Sequence, residues 1–135
     1  MKKIFILSLS LLSLYIYSCS DNTSSSTSTT KDSFLVSTVN DTTTINFEIS
    51  GLTISDTRSR DINNAAVRFS TSLKIESVTN GGFTFSTFRD NVLCSTIQVK
   101  KAIDTTGYYV GKLNKFSFIP DNFSGKGVIV IRGHD

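Results

Sequence analysis

The side chains able to act as nucleophiles, bases or metal ligands are few and scattered in this chain. Two cysteines, Cys19 and Cys94, and one histidine, His134, are the whole thiol and imidazole inventory. A Ser-His-Asp hydrolase would have to recruit His134 from a frayable terminal position. A zinc site needs more His or Cys ligands than the sequence offers. Asp32, Asp41, Asp56, Asp61, Asp90, Asp104 and Asp121 sit among turn formers, which suits turn and cap duty. Glu48 and Glu76 fall at polar positions of alternating runs, so no pair of carboxylates is set up for glycosidic chemistry. Gly81-Gly82 and Gly125-Lys126-Gly127 do not make a phosphate-cradling loop, and the aspartate spacing forms no EF-hand. The expectation is a non-enzyme with no metal and no cofactor.

Two groups remain that could bind rather than react. The polar stretch from Asp56 to Asn64 breaks the rhythm of its neighbours and carries Arg58 and Arg60. Guanidinium groups on such a loop can grip a carboxylate or phosphate in bidentate fashion. The plainer reading is a solvated crossover between sheets, with Asp61 pairing an arginine. Tyr108-Tyr109 is the second group. In a strand one ring points inward and the other outward, and Tyr109 is taken as the candidate contact for a partner.

The N-terminal stretch says more about place than about chemistry. Lys2 and Lys3 precede an apolar run from Ile4 to Ile16. That run is shorter than the roughly 20 residues needed to cross a bilayer, and matches the core of a secretory signal. Its end, Ile16-Tyr17-Ser18-Cys19, resembles the lipobox of bacterial lipoproteins. The resemblance covers residues 1–19 and implies a diacylglyceryl thioether on Cys19, cleavage just before it and acylation of the new amine. Two or more acyl chains anchor a protein stably where one holds it only marginally. Ordinary secretion with cleavage after Ser20 and an uncleaved signal anchor are the alternatives. Ser20, rather than Asp, after the cysteine leans toward the outer membrane in enterobacteria-like sorting.

Processing changes the charge balance. The precursor has 14 Lys+Arg and 11 Asp+Glu, and loss of Lys2 and Lys3 leaves 12 against 11. The sequence pI near 9.0 is therefore partly a property of the leader. Nucleic-acid binding wants a clustered basic face, and after the leader only Lys100-Lys101 are adjacent, so no nucleic-acid partner is expected. With Cys19 lipidated, Cys94 has no partner. Its setting, Val92-Leu93-Cys94-Ser95, predicts a buried, inert thiol. A Cys19–Cys94 disulfide would require an unmodified Cys19.

From Ser20 to Ser33, ten of fourteen residues are Ser or Thr and none is a large apolar residue. Nothing there offsets the entropy of ordering, so residues 19–33 read as a lipidated cysteine and flexible tether. The domain proper is read as residues 34–135. Its apolar residues alternate, as in Ile45, Phe47, Ile49 and in Val67, Phe69, Thr71, Leu73, Ile75, which is the strand signature. Asn40-Asp41, Thr79-Asn80-Gly81-Gly82, Asp104-Thr105-Thr106-Gly107 and Pro120-Asp121-Asn122 read as turns between strands, with Asn80-Gly81 a strong hairpin signal. Gly127 to Arg132 is apolar on both faces and is expected at the centre of a sheet. The sum is an all-β domain of about seven to nine short antiparallel strands, an immunoglobulin-like or transthyretin-like sandwich. The absence of tryptophan makes any immunoglobulin likeness architectural only.

The expected function is that of a membrane-anchored envelope lipoprotein serving as a non-catalytic protein-interaction or assembly module. The tethered, transthyretin-like outer-membrane lipoproteins of type VI secretion systems are architecturally similar, though no motif establishes membership. The alternative is a ligand-binding or hydrolase-inhibitory lipoprotein.

Overall fold

The computed structural model describes residues 29–63 and 65–134. The leader, Cys19 and most of the tether lie outside the described residues. Seven strands follow in order: β1 (Lys31–Val39), β2 (Thr42–Ile54), β3 (Arg58–Asp61), β4 (Arg68–Arg89), β5 (Val92–Val99), β6 (Ile103–Val110) and β7 (Lys115–His134). There is no helix among the described residues. The all-β, sandwich-like expectation holds, with seven strands. β1 takes in Lys31, Asp32 and Ser33, which therefore belong to the domain rather than to the tether.

All pairings are antiparallel and join the strands into one sheet, ordered β1-β2-β7-β4-β5, with β3 also on β7 and β6 also on β4. β4 has 22 residues and β7 has 20. Straight, such strands would run about 65–75 Å, far beyond the size of a domain of this length. They bend together instead. Before the bend, the first half of β4 lies between β6 and the second half of β7, which carries β2 and β1 beyond it. After the bend, the second half of β4 lies between β5 and the first half of β7, which carries β3. One sheet thus folds over to make two layers.

The bend uses the very segments expected as turns. Thr79-Asn80-Gly81-Gly82 lies inside β4 and Pro120-Asp121-Asn122 inside β7. Their mutual register shifts at Ile75/Ser77, Val78/Asn80 and Asn80/Gly82. The first two set two residues of β4 against one of β7, as in a bulge, and the third is an irregular step; such shifts bend and twist a strand without ending it. Gly81 (φ 56°) and Asn122 (φ 46°) take the left-handed conformation that their types tolerate. Asn80 Nδ2 donates to Asn122 O at 3.1 Å, and Thr79 Oγ1 donates to Ser124 Oγ at 2.9 Å. Neither segment reverses the chain because β4 and β7 remain each other's partner on both sides of it. The expected hairpin at Asn80-Gly81 is corrected accordingly. The expected turn at Asp104–Gly107 is corrected too: these residues are paired within β6, Asp104 opposite Lys74 and Gly107 opposite Thr71. The actual reversals are Asn40-Asp41, as expected, and Asp90-Asn91, whose φ values of 49° and 66° suit a type I′ hairpin.

The layers meet through phenylalanines. Phe118 of β7 touches Phe34, Phe47, Phe83 and Phe123, with centroids 4.5–5.8 Å apart. Ile45, Leu73, Ile129 and Ile131 fill the rest of one inner face, and Phe85, Phe116 and Val99 the other. β7 is central as expected, and its outward Val128 and Val130 are half-buried among neighbours on the outer face.

Candidate functional site

A folded-over sheet has two open sides, where the edge of one layer faces the edge of the other. On the first, β1 faces β3. Arg58 on β3 crosses this gap. Its Nη1 and Nη2 donate to Asp32 Oδ1 and Oδ2 at 2.8 and 2.7 Å, and its Nε donates to Asp56 at 3.3 Å. The guanidinium carbon lies 5.2 Å from the centre of the Phe34 ring. The hydrogen bonds to Asp32 raise the Arg58 pKa, and the same bonds from Arg58 hold the Asp32 carboxyl below its ordinary range. Arg58 is therefore bidentate, as its type suggested, but its carboxylate belongs to its own chain. The pairing differs from the Asp61–arginine contact expected for a plain crossover. Arg60 and Asp61 are exposed on the same short strand.

On the second side, β5 faces β6, and here apolar side chains stand in solvent. Tyr108 is 78% exposed, Val110 89%, Val92 62% and Leu93 54%. They line a hollow of about 370 Å³ with Cys94, Arg89, Lys112 and Leu113. Tyr108 and Val110 also border a second hollow of about 310 Å³, shared with Arg68, Phe69 and His134. Tyr109 is the half-buried member of the tyrosine pair and packs on the core, with its hydroxyl over Gly107 where any Cβ would crowd it. One ring in and one out was expected; the outward one is Tyr108.

Cys94 is exposed, which overturns the expectation of a buried thiol. The cause is a bulge. Thr87 pairs with Ser95 and Phe88 with Leu93, so Cys94 is the extra residue between two successive pairs. An unpaired bulge residue on an edge strand loses the in-out alternation on which sequence reading relies. The apolar run Val92-Leu93-Cys94 thus faces outward.

His134 and Ser70 form one contact of catalytic type, with Nε2 2.8 Å from Oγ. Ser70 is only 8% exposed. It is the third residue of β4, paired on one side with β6 and on the other with β7, so its strand sits within ladders rather than presenting a cluster of free N–H groups for an oxyanion. Among the described residues, no group of three or more His, Cys, Asp or Glu side chains is arranged to hold a metal ion. No described helix is long and apolar enough to cross a membrane.

Charge separates the two sides as sharply as polarity does. The ion pairs among the described residues are Lys31–Glu48, Arg58–Asp32, Arg58–Asp56 and Lys126–Glu76. None involves Arg68, Arg89 or Lys112, the cations around Tyr108 and Val110. Sequence reading found one member of this face, the Tyr108-Tyr109 pair, but not the rest, because the residues come from β4, β5, β6 and the segment before β7. A further usable signal was the apolar pair Val92-Leu93 outside any alternating run.

Comparison of the chain with family models, with curated proteins and with solved structures finds no match.

Proposed function

We propose that this chain is a lipid-anchored lipoprotein of the bacterial envelope, more consistent with the outer membrane than the inner, and that its sandwich is a non-catalytic module binding another envelope protein through the β5–β6 side. The observation that carries the binding reading is the cluster of Tyr108, Val110, Val92 and Leu93, exposed together around a hollow. Aromatic and aliphatic side chains at the centre of a patch, with arginines around them, have the composition of an interface core and rim. The anchor rests on the resemblance at Ile16-Tyr17-Ser18-Cys19. Arg58, engaged with Asp32, supports the domain rather than the contact.

Photocrosslinking in intact cells tests the reading. A crosslinker at Tyr108 should capture one stoichiometric envelope protein, and the same group at Leu35, exposed on β1, should not. Recovery of only a glycan or a cell-wall hydrolase would favour the ligand-binding or inhibitory alternative. No adduct at Tyr108 would remove the interaction reading. For the anchor, Cys19→Ala should abolish lipid labelling and shift the protein out of the membrane fraction; an unchanged distribution would refute the lipid.

A further inference from the structure

We propose that the β5–β6 side receives an extended, acidic segment of a partner protein, added as a strand to the free edge of β6. The inference rests on the interaction reading above and gives that partner a chemistry.

β6 pairs with β4 in an unbroken register from Arg68↔Val110 to Ile75↔Ile103, and nothing among the described residues pairs with its other edge. The direction of its backbone groups follows from one bond. Gly111 N donates to Val67 O at 2.7 Å, continuing that register. Antiparallel ladders alternate hydrogen-bonded and non-bonded pairs. Tyr109 and Gly107 therefore bond toward β4, while the N–H and C=O groups of Thr106, Tyr108 and Val110 point away from it. The Ser72–Thr106 hydroxyl contact at 2.9 Å agrees, because side chains approach more closely in non-bonded pairs. By the same alternation Asp104, opposite Lys74, also points its backbone groups outward; four residues thus present unused backbone donors and acceptors, and two of them, Tyr108 and Val110, also present the apolar side chains.

The form of the occupant follows. A bilayer would leave those backbone groups without partners in an apolar medium, which is costly. A strand satisfies them, and strand addition draws affinity from the backbone and specificity from side-chain hollows. The two hollows beside Tyr108 and Val110 are placed for side chains of such a strand.

Charge selects its composition. Arg68 lines one hollow and Arg89 and Lys112 the other, none of them in an ion pair with a described residue. A segment carrying Asp or Glu among apolar residues complements them. A second copy fits less well. Its β6 would bring the carboxylate of Asp104 but also a second set of cations, and the Ser33–Val39 part of its β1 edge has no carboxylate.

The test uses the full chain and a nine-residue peptide of alternating Val and Glu as probe, with alternating Val and Lys as the control. Saturable binding of the Glu peptide is expected, at least ten-fold tighter than the Lys peptide and weakened by salt. Methylating the amide nitrogens on one edge of the probe should abolish binding while leaving the protein untouched. Thr106→Pro, which removes one outward N–H and no ladder bond to β4 but also the Ser72–Thr106 hydroxyl contact, should weaken binding about ten-fold relative to Thr106→Ala, which loses that contact and keeps the N–H. Equal binding of the Glu and Lys peptides, or of the methylated probe, overturns the proposal. So does binding to phosphatidylglycerol vesicles, or self-association in sedimentation, without any binding of the Glu peptide. A protein adduct at Tyr108 in cells alongside failure of the peptide would leave the interaction reading standing and sink only the strand.

Discussion

The β1–β3 side and the β5–β6 side solve the same geometric problem with opposite results. Each is a gap between the edge of one layer and the edge of the other. At β1–β3 the gap is spanned by an arginine that lies on Phe34, which lies on Phe118, which touches both inner faces. Its guanidinium ends on Asp32, so charge, ring and core form one connected stack. At β5–β6 no ion pair joins the two edges among the described residues. Apolar groups stay in water, and the nearby cations find no carboxylate among the described residues. Desolvating an unpaired charge is costly, whereas a paired and hydrogen-bonded one can be partly buried. The first side is therefore finished within the chain, and the second keeps its apolar and electrostatic capacity for something outside it.

The largest effect should come from the foot of that stack. Phe118 is fully buried and touches four other phenylalanines. Phe118→Ala should cost about 3–5 kcal/mol, the usual range for deleting a buried ring, because the surrounding rings close the cavity only in part. Equilibrium denaturation would measure it. A loss below about 1 kcal/mol would mean that the layers do not depend on this cluster.

Arg58→Ala should come next, at about 1–2 kcal/mol, because it removes packing over Phe34 as well as the paired charge. Asp32→Asn should cost less, about 0.5–1 kcal/mol, since this partly exposed pair is screened by solvent. The difference has a pH signature. The Asp32 carboxyl is held below its ordinary pKa, chiefly by the hydrogen bonds from Arg58. A group depressed in the folded state contributes its stability fully above its unfolded pKa, about 3.9, and loses it as pH falls through the folded value. The Asp32→Asn penalty should thus be constant around pH 7 and shrink below about pH 4. A penalty independent of pH would show that the carboxylate charge is irrelevant to the clasp.

The corner and the two open sides also mark where sequence reading worked and where it did not. Alternation located many of the inward residues, because a period of two follows from the pleat alone: Ile45, Phe47, Ile49, Leu73 and Ile75 are all buried, whereas Val67, at the head of the same run but before β4 begins, is exposed, and Ile62, Leu113 and Phe123 lay outside any alternating run. It misread Asn80-Gly81 and Pro120-Asp121-Asn122 for one reason. Local φ/ψ preference reports that the backbone departs from a flat strand, and a bulge and a reversal use the same residue types. Only the partner strand decides between them, and β7 lies some forty residues from β4's bend in sequence, on the order of a loop-closure cost that no local signal encodes. Arg58 was legible as a bidentate donor and not as a clasp, because Asp32 sits in a stretch that read as tether. Cys94 was lost to a bulge, and with it the outward face of Val92-Leu93.

On the β5–β6 side, polar replacement should be almost neutral for folding. Tyr108→Ser together with Val110→Thr should shift stability by less than about 0.5 kcal/mol, since both side chains are already hydrated in the folded state. The same double variant should lose the peptide binding described above. A strong loss of stability would place these side chains in the core after all and close the contrast between the two sides.

Cys94 gives the smallest stability effect and the sharpest local readout. Cys94→Ser should be neutral within about 0.5 kcal/mol, because the position is exposed and its weak Sγ–H donation to Val92 O at 3.6 Å is one a serine hydroxyl can replace. In the native protein its thiol should react with a soluble thiol reagent on the timescale of mixing, without waiting for unfolding, because the bulge holds it outside the ladder. Bound probe should slow that reaction, since Cys94 lines the same hollow as Tyr108 and Val110. Protection by the Val-Glu peptide and not by the Val-Lys peptide would tie the occupant to this side of the sandwich. Equal reactivity with and without bound peptide would move the binding elsewhere, and the β1 edge, where Leu35 and Val39 are also exposed, would become the surface to examine.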